Sequence, residues 1–414
     1  MIERRVISPS ELVSFVSASH YVHYMKTAAW GEFRQRTEGS SFQCLGFFRQ
    51  NRLSATAMAI SHSFLGHRYI YIPKGPCLDY EDTELLREVM YSLQDYARSQ
   101  NAQFLRIDPD VIRVSRNISG EQIEGIDHEW ITEELKREHF RHRGYNYAYD
   151  GSWTNRYTLI VDLDRQEEEI LAGYSKPRRT SLNRHRVSGV STALAGPEHI
   201  DDLMRFEVML SEQDGFKPHS RRFFEDLLDC FGDHVRFYLT SIDLNQLVQG
   251  ITDELQSKKY RKDPEAKAAK ERDLERADTL IREYGASLPI AAGIFLYYGE
   301  QCWDLYTYNH KAFNFIKPVD NLHWFAMRDM KKLGVKRYDM CGFSGVTSKD
   351  DPEYGLYAYK RSFGPEFIEQ IGEFDYVINK PAYRRFVREK SLEVRARHKI
   401  WRIRYRKKET SGNA

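Results

Sequence analysis

One stretch of the sequence concentrates positive charge without a compensating acid. Residues 173–190 read GYSKPRRTSLNRHRVSGV and contain Lys176, Arg178, Arg179, Arg184 and Arg186. Pro177 cannot continue a preceding helix but suits the first turn of a new one, so a helix is predicted to begin here. Arginines near a helix N-terminus form a suitable phosphate site, because free backbone N–H groups also favour an anion. A solvated helix face is the alternative interpretation.

A second cationic region lies near the end of the chain. Residues 384–408 contain twelve Lys or Arg and two Glu, interleaved with Trp, Tyr, Ile and Val. Basic residues mixed with apolar ones suit an anionic lipid surface or a nucleic-acid backbone. A solvated terminal helix is again the alternative. The overall balance of 62 Lys and Arg against 60 Asp and Glu leaves a net charge of only +2, so any affinity for a polyanion depends on these local runs.

Two isolated acids, Asp108 and Asp339, follow short apolar runs that have the character of buried strands. Each run closes a similar unit of strands, a helix and a strand. The first unit reads FQCLGFFRQ, LSATAMAIS and RYIYIPKGP, a helix over 82–99 and FLRID; the second reads IAAGIFLYY and CWDLYTYN, a helix over 319–333 and VKRYDMCG. The repeated order indicates an internal duplication and predicts two mixed α/β domains.

Residues 243–285 differ in character from both units. Apolar residues recur every three or four positions on either side of the break KYRKDPEA, which predicts an antiparallel helical hairpin. Each arm is expected to be about 25 Å long, from ~1.5 Å per residue. Such a charged insertion is more typical of a docking or spacer element than of a catalytic one.

Several kinds of chemistry lack sequence support. The five cysteines are scattered and form no C-x-x-C, which argues against a zinc site and against a disulfide framework. The patterns G-x-S-x-G, H-E-x-x-H, the P-loop and G-x-G-x-x-G are also absent, so we expect no metal and no cofactor. The N-terminal residues lack an apolar core of signal-peptide length, and no apolar run approaches the ~20 residues of a spanning helix. These features predict a cytoplasmic protein.

Seven spaced segments together resemble the Fem/MurM (FemABX) family of peptidoglycan-bridge aminoacyltransferases. They are SHYVHYMKTAAWGEFR, YIPKGPCLD, FLRIDPD, YTLIVDLDRQEEEILAGYSKPRRTSLNRHRVSGV, DGFKPHSRRFFEDL, RYDMCGFSG and GLYAYKRSFGPEFIEQIGEFDYVIN. The resemblance implies an α/β (α+β) fold of two acetyltransferase-like (GNAT) domains. The implied boundaries are 1–150 plus about 370–395, then 151–369 with the hairpin 243–285 inserted, and a basic tail over 384–414.

The resemblance also implies two catalytic residues. Asp108 matches an acid near the acceptor amine; a carboxylate with a pKa near 4 is a poor base for an ammonium near 10.4, so it is expected to orient the amine. Lys360 matches a lysine that meets the charged end of aminoacyl-tRNA, and we expect it before a glycine-bounded strand end, stabilising an oxyanion with Tyr359 beside it. The alternatives are a turn-capping Asp108 and a surface Lys360.

Further residues are implied to bind the precursor. Arg34 stands four positions after Trp30, where the family contacts precursor phosphate. Lys74 stands where the family usually has Arg or Lys, beside a turn at Gly75-Pro76 that shapes the cleft wall, and a structural role is the alternative to ligand binding. In DGFKPHSRRFF the family's phosphate-binding Arg is replaced by His219, so the role passes to His219 or Arg221. Phe223 and Phe224 occupy the two aromatic positions that follow. An exposed helix residue is the alternative for Arg34.

The resemblance implies transfer of an amino acid from aminoacyl-tRNA to the stem-peptide amine, a lysine ε-amine, of a lipid-linked cell-wall precursor. The cations of 176–186 would face the tRNA, and the tail would contact the inner face of the membrane or the same tRNA. Two alternatives stay open: a tRNA-dependent transferase with a different acceptor, such as a protein N-terminus or a small molecule, and a non-enzymatic adaptor for RNA or membrane.

Overall fold

Two mixed seven-stranded sheets form the body of the protein. A computed structural model describes residues 2–20, 22–145, 154–185, 188–214, 216–257, 260 and 263–392. The strands are β1 (Glu3–Val6), β2 (Ser41–Arg49), β3 (Arg52–Phe64), β4 (His67–Ile72), β5 (Phe104–Ile107), β6 (Val114–Arg116), β7 (Gln122–Asp127), β8 (Arg141–His142), β9 (Tyr157–Asp162), β10 (Val190–Ala195), β11 (Val235–Asp243), β12 (Ser287–Tyr298), β13 (Gln301–Asn309), β14 (Arg337–Phe343), β15 (Glu366–Glu369) and β16 (Phe374–Val377).

Helices pack on both sheets. They are α1 (Pro9–Ser17), α2 (Ala28–Glu38), α3 (Thr83–Ser99), α4 (Glu129–Arg137), α5 (Glu167–Gly173), α6 (Lys176–His185), α7 (Ile200–Asp214), α8 (Arg221–Phe231), α9 (Leu244–Leu255), α10 (Pro264–Tyr284), α11 (Pro318–Lys332), α12 (Tyr354–Arg361) and α13 over 380–392. Across the described residues, no helix is both long enough and apolar enough to cross a bilayer. The predicted contacts of the tail beyond residue 392 lie outside the described residues.

The two sheets repeat one arrangement. The first has the strand order β1-β2-β3-β4-β5-β16-β8 and the second β10-β11-β12-β13-β14-β9-β15. In each sheet only one neighbouring pair is parallel, β4 with β5 and β13 with β14, and a helix connects the two strands of that pair. The predicted fold class, with its repeated order of elements, is confirmed.

Local signals account for the connecting helices. The Asp82 side chain accepts a hydrogen bond from the Leu85 backbone N–H, which places the start of α3 one residue inside the predicted range 82–99. Leu86, Val89 and Leu93 recur at helical spacing and are fully buried against the first sheet. The corresponding α11 begins at Pro318, one residue before the predicted range.

The predicted hairpin is present, but its arms are unequal. Helix α9 has 12 residues and α10 has 21, where two equal arms were expected. The long arm starts at Pro264, because the Asp263 side chain caps it and proline suits the first helical turn. Ile251 on one arm and Ala277 and Leu280 on the other are buried in a shared apolar cluster.

The chain returns to the first sheet after completing the second. Strand β16 pairs antiparallel with β5, and Asp375 lies opposite Arg106. The Arg106 guanidinium donates to both Asp375 oxygens, at 2.7 and 2.8 Å, and the Tyr383 hydroxyl donates to the same carboxylate at 2.6 Å. Both charges are fully buried, and further ion pairs of Arg106 with Glu373 and of Asp375 with Arg143, each at 3.3 Å, help to replace the lost solvation.

We predict that Asp375→Asn lowers the free energy of unfolding by about 3 kcal/mol, because it removes the bidentate carboxylate partner of a buried guanidinium and leaves Arg106 with Glu373 alone, at 3.3 Å. Urea denaturation followed by circular dichroism measures the change. Arg385→Gln is the control, since it breaks the largely exposed Arg385–Glu389 pair and should cost at most about 1 kcal/mol. Equal costs for the two variants would contradict the prediction.

Candidate functional site

Asp108 lies at the carboxyl edge of the first sheet, where the parallel strands β4 and β5 end. Its side chain is only 1% exposed, and Lys74, just beyond β4, places its Nζ 3.5 Å from Oδ1. The hydroxyls of Tyr71, at 3.1 Å, and of Thr154 donate to Oδ2. Burial raises the pKa of Asp108, and Lys74 with the two hydroxyls opposes that rise. Asp108 therefore belongs to a buried charge network and is not a turn cap.

A second ion pair extends this network. The Nζ of Lys26 lies 3.5 Å from Asp110 Oδ2, and the Gln370 amide donates to Asp110 Oδ1 at 3.3 Å. Burial lowers the pKa of Lys74, but Asp108 and Asp110 more than offset this and leave that pKa raised. The sequence reasoning missed Lys26 and Asp110, although Asp110 stands only two residues after Asp108.

The second sheet has an acid in the corresponding strand. Asp339 on β14 accepts from the Thr158 hydroxyl and, at 2.7 Å, from the Cys341 N–H. The register of β14 against β9 shifts between Asp339 and Gly342, and Cys341 adopts the left-handed conformation with φ of 59°. Such bulges with strained backbone redirect neighbouring groups and are common beside active sites.

Lys360 reaches this bulge from helix α12. Its Nζ donates to the carbonyl oxygens of Cys341 and Gly342, at 3.1 and 2.8 Å. The expected position before a strand end is wrong, because Lys360 lies in the last turn of a helix. The residue is 8% exposed and so is not a surface lysine. No carboxylate of the described residues lies within 4.0 Å of the ammonium, although its charge opposes the burial-raised pKa of the nearby acids Asp339 and Asp304.

Cys341 lies within electrostatic reach of lysines from both sheets. Burial raises the pKa of its thiol, Asp339 adds to the rise, and the ammonium groups of Lys360 and Lys74 oppose it. The thiol is thus a common neighbour of the two ammonium groups, one of which contacts Asp108 at the first sheet edge while the other extends from α12.

Tyr359, the residue before Lys360 on α12, is half-buried and bonds to a buried histidine. Its hydroxyl is 2.8 Å from His323 Nε2, and Tyr338 OH is 2.8 Å from His323 Nδ1. Burial lowers the pKa of His323 to about 3, so the ring is neutral. The predicted substrate contact of Tyr359 stays a prediction.

An aromatic group occupies the interface between α2 and α8. His219 stacks on Phe223 with ring centroids 4.1 Å apart, and Phe224 lies 5.7 Å from Tyr306. The Nδ1 of His219 is 2.7 Å from Glu207, a buried acid that was not predicted. The predicted residues His219, Phe223 and Phe224 thus form one cluster.

Arg34 lies next to this cluster. Its guanidinium is 5.2 Å from the Trp30 ring and forms an ion pair with Glu38. Burial raises the pKa of Tyr306, and the Arg34 charge opposes that rise, as expected for neighbours. Arg221 is likewise paired, with Asp201 and Glu225, but it is exposed and no ring contact joins it to the aromatic cluster among the described residues.

The predicted tRNA-binding cations divide into two sets. Lys176, Arg179 and Arg184 are exposed on α6, which confirms a helix at this position. Arg178 is only 8% exposed, so its charge is buried and does not add to the positive surface of α6. Arg186 lies outside the described residues.

A groove of about 510 Å³ separates α6 from the helical hairpin. Lys176, Arg184 and Lys317 line one side, while Leu247 and Ile251 contribute to the other. The α6 side of the groove is therefore positively charged, while the hairpin side combines Leu247 and Ile251 with the charged residues Glu254, Lys270 and Asp273. The sequence predicted both α6 and the hairpin but not that they would form one groove.

Comparison with known proteins is consistent with this geometry. A model of the FemAB family matches residues 7–387. Lipid II:glycine glycyltransferases of Staphylococcus aureus, from strains bovine RF122 / ET3-1 and MRSA252, are 25% identical to the chain over 430 residues, which covers 97% of this chain and 99% of each relative. The crystal structure of FemX superposes with a TM-score of 0.77 at 21% identity, covering 92% of this chain and 99% of that one.

The structural likeness to FemX bears on the fold alone, while the family match covers nearly the whole chain. The chain shares the enzyme class of its relatives and is an acyltransferase. It belongs to the FemAB family.

Proposed function

We propose that the protein transfers an aminoacyl group from aminoacyl-tRNA to the lysine ε-amine of the stem peptide in lipid II. The observation that carries the proposal is the Lys360 ammonium, nearly buried, bonded to two carbonyls and unpaired with any described carboxylate within 4.0 Å. The Cys341 thiol, which feels the charges of both Lys360 and the Asp108 partner Lys74, supports placing Lys360 and Asp108 in one site. The names of the Staphylococcus aureus relatives support lipid II as the acceptor.

In this reaction the neutral amine attacks the carbonyl carbon of the ester. The carbonyl oxygen becomes an oxyanion in the tetrahedral intermediate, and the Lys360 ammonium stabilises that charge because it is fixed in a largely dehydrated site. The C–O bond to the tRNA ribose then breaks, the amide bond remains, and the ribose oxygen takes up the proton that the amine loses. Positioning of the two substrates supplies much of the rate.

Asp108 binds the attacking amine in its ammonium form and aligns it before deprotonation. Its carboxylate is already held by Lys74, Tyr71 and Thr154, so an incoming amine joins a preformed network and does not have to order it. The raised pKa of Asp108 also makes it a better proton acceptor than an exposed aspartate.

The two substrates approach from different parts of the surface. Arg34 and the aromatic cluster of His219, Phe223 and Phe224 receive the diphosphate and sugar portion of the precursor. The exposed cations of α6 contact the tRNA backbone, because positive charge attracts the phosphodiester groups and RNA helices are recognised mainly by their shape and backbone. No residue in this scheme requires a metal or a covalent intermediate.

A transfer assay tests the function directly. Wild-type protein, lipid II with a lysine-containing stem and a panel of aminoacyl-tRNAs should give a precursor whose mass increases by one aminoacyl residue. Lys360→Met should lower kcat by about 10²- to 10³-fold, the effect of losing one oxyanion donor. Lys332→Met, at the far end of α11, is the control and should keep full activity. Absence of transfer with every aminoacyl-tRNA would refute the proposal.

The pH dependence of kcat/KM provides a second prediction. Asp108 acts as a carboxylate, and burial raises its pKa above the ordinary value near 3.9. Activity should therefore fall as the pH drops through this raised pKa, and Asp108→Asn should remove that acidic limb along with most of the activity. Asp350→Asn, which changes an exposed acid, should leave the profile unaltered. An unchanged acidic limb in Asp108→Asn would assign it to another group.

Charge reversal on α6 should weaken donor binding specifically. Combined Lys176→Glu and Arg184→Glu substitutions should raise KM for aminoacyl-tRNA by about 10-fold or more and reduce its salt dependence, because two phosphate contacts are lost. KM for lipid II should stay unchanged. Lys332→Glu makes the same kind of change on another exposed lysine and should leave both KM values unaltered. Equal effects of the α6 and Lys332 variants would exclude α6 from the tRNA site.

A further inference from the structure

Arg178 is the one described cation of 176–186 that faces inward from α6. Its guanidinium forms an ion pair with Asp320 in the first turn of α11, and Asp320 is fully buried. Burial raises the pKa of Asp320, and the Arg178 charge opposes that rise, so the pair is coupled. One end of the guanidinium is thereby anchored to the helix that packs on the second sheet.

The other donors of Arg178 reach the end of the helix that carries Lys360. Nη2 donates to the Tyr359 carbonyl at 3.1 Å, and Nε donates to the Ser362 hydroxyl. The guanidinium carbon also lies 3.8 Å from the centroid of the Phe363 ring and 4.6 Å from that of Tyr359. A cation at a helix C-terminus satisfies free carbonyl groups and complements the helix dipole.

The residues that Arg178 contacts lie on both sides of Lys360 in the sequence. Tyr359 precedes it, and Ser362 and Phe363 follow it within three residues, while the Ser175 N–H donates to the Ser362 carbonyl at 2.8 Å. The Lys360 side chain must extend from this helix end to the carbonyls of Cys341 and Gly342. A small shift of the helix end would move the ammonium away from both acceptors.

We propose that Arg178 is a positioning residue for Lys360. Its fork of donors holds the C-terminal turn of α12 against α6 and α11, which sets the place of the ammonium in the cleft. This inference rests on the proposed function, in which Lys360 stabilises the oxyanion. Lysine cannot reproduce the arrangement, because its single ammonium can pair with Asp320 but lacks the planar fork that also reaches Tyr359 and Ser362.

The test is a double-mutant cycle in the full-length protein, measured by transfer to lipid II. Arg178→Lys should lower kcat by about 10- to 100-fold, the scale of a misplaced catalytic group, with KM for both substrates within about 3-fold of wild type. In the Lys360→Met background the same substitution should change kcat by less than about 2-fold, because coupled residues are not additive. If Arg178 has only a structural role, the fold losses in kcat of the two single variants should multiply in the double variant.

A second variant covers the case in which Arg178→Lys does not fold. Ser362→Ala removes one acceptor and leaves the ion pair with Asp320 intact, so it should lower kcat only in the presence of Lys360. Tyr238→Phe is the matched control: it removes the 2.8 Å hydrogen bond that the Tyr238 hydroxyl on β11 donates to Asp329 of α11, without changing α6 or α12, and kcat should be retained.

The outcomes separate the two proposals. If the wild-type protein transfers no aminoacyl group, the proposed function and this inference both fail. If it transfers normally but kcat of the Arg178 and Ser362 variants equals that of wild type, or their losses multiply with that of Lys360→Met, only the positioning role is overturned.

Discussion

A buried ammonium needs compensation, and the form of that compensation distinguishes the two halves of this enzyme. Removing a charge from water costs several kcal/mol unless opposite charge or hydrogen bonds replace the solvent. At the first sheet edge the Lys74 ammonium lies 3.5 Å from the Asp108 carboxylate. At the second edge the Lys360 ammonium has two peptide carbonyls in place of a carboxylate. Neutral acceptors solvate that charge without cancelling it.

The asymmetry arises from a local change in a duplicated architecture. Both sheets contain one parallel strand pair, and an aspartate follows directly after the second strand of that pair in the first sheet and lies on it in the second. In the second sheet Asp339 bonds to Thr158 and to the Cys341 backbone, which stabilises the bulge. The bulge, and not the aspartate, then presents acceptors to Lys360. Duplicated folds can thus acquire different chemistry at equivalent edges through one change of backbone register.

The residues of the proposed site come from distant segments of the chain. Lys74 comes from the first unit, Cys341 from the second, and Lys360 from a helix that follows it. The returning strand β16, clamped by Asp375 and Arg106, closes the first sheet only after the second sheet is complete. Assembly of the site therefore depends on the whole chain and not on either unit alone.

Local sequence signals determined the order of strands and helices, the repeated unit, the hairpin and the cationic helix. These features depend on periodicity, capping residues and proline, which act within a few residues and can be read directly. Motif resemblance also identified Asp108, Lys360 and the aromatic residues around His219. The apolar spacing did not predict the unequal hairpin arms, because the break KYRKDPEA shows that the helix is interrupted but not where each arm ends.

Only the tertiary structure determines which charged side chains are exposed and which are buried. Arg178 and Arg179 are neighbours in one cationic run, yet Arg178 is buried against Asp320 and Arg179 is exposed. Asp110, Lys26 and Glu207 also belong to the site, although no sequence pattern marks them as functional residues. The partners of a buried charge lie tens to hundreds of residues away, and the energy that selects them comes from desolvation in the folded state, which a linear pattern does not encode.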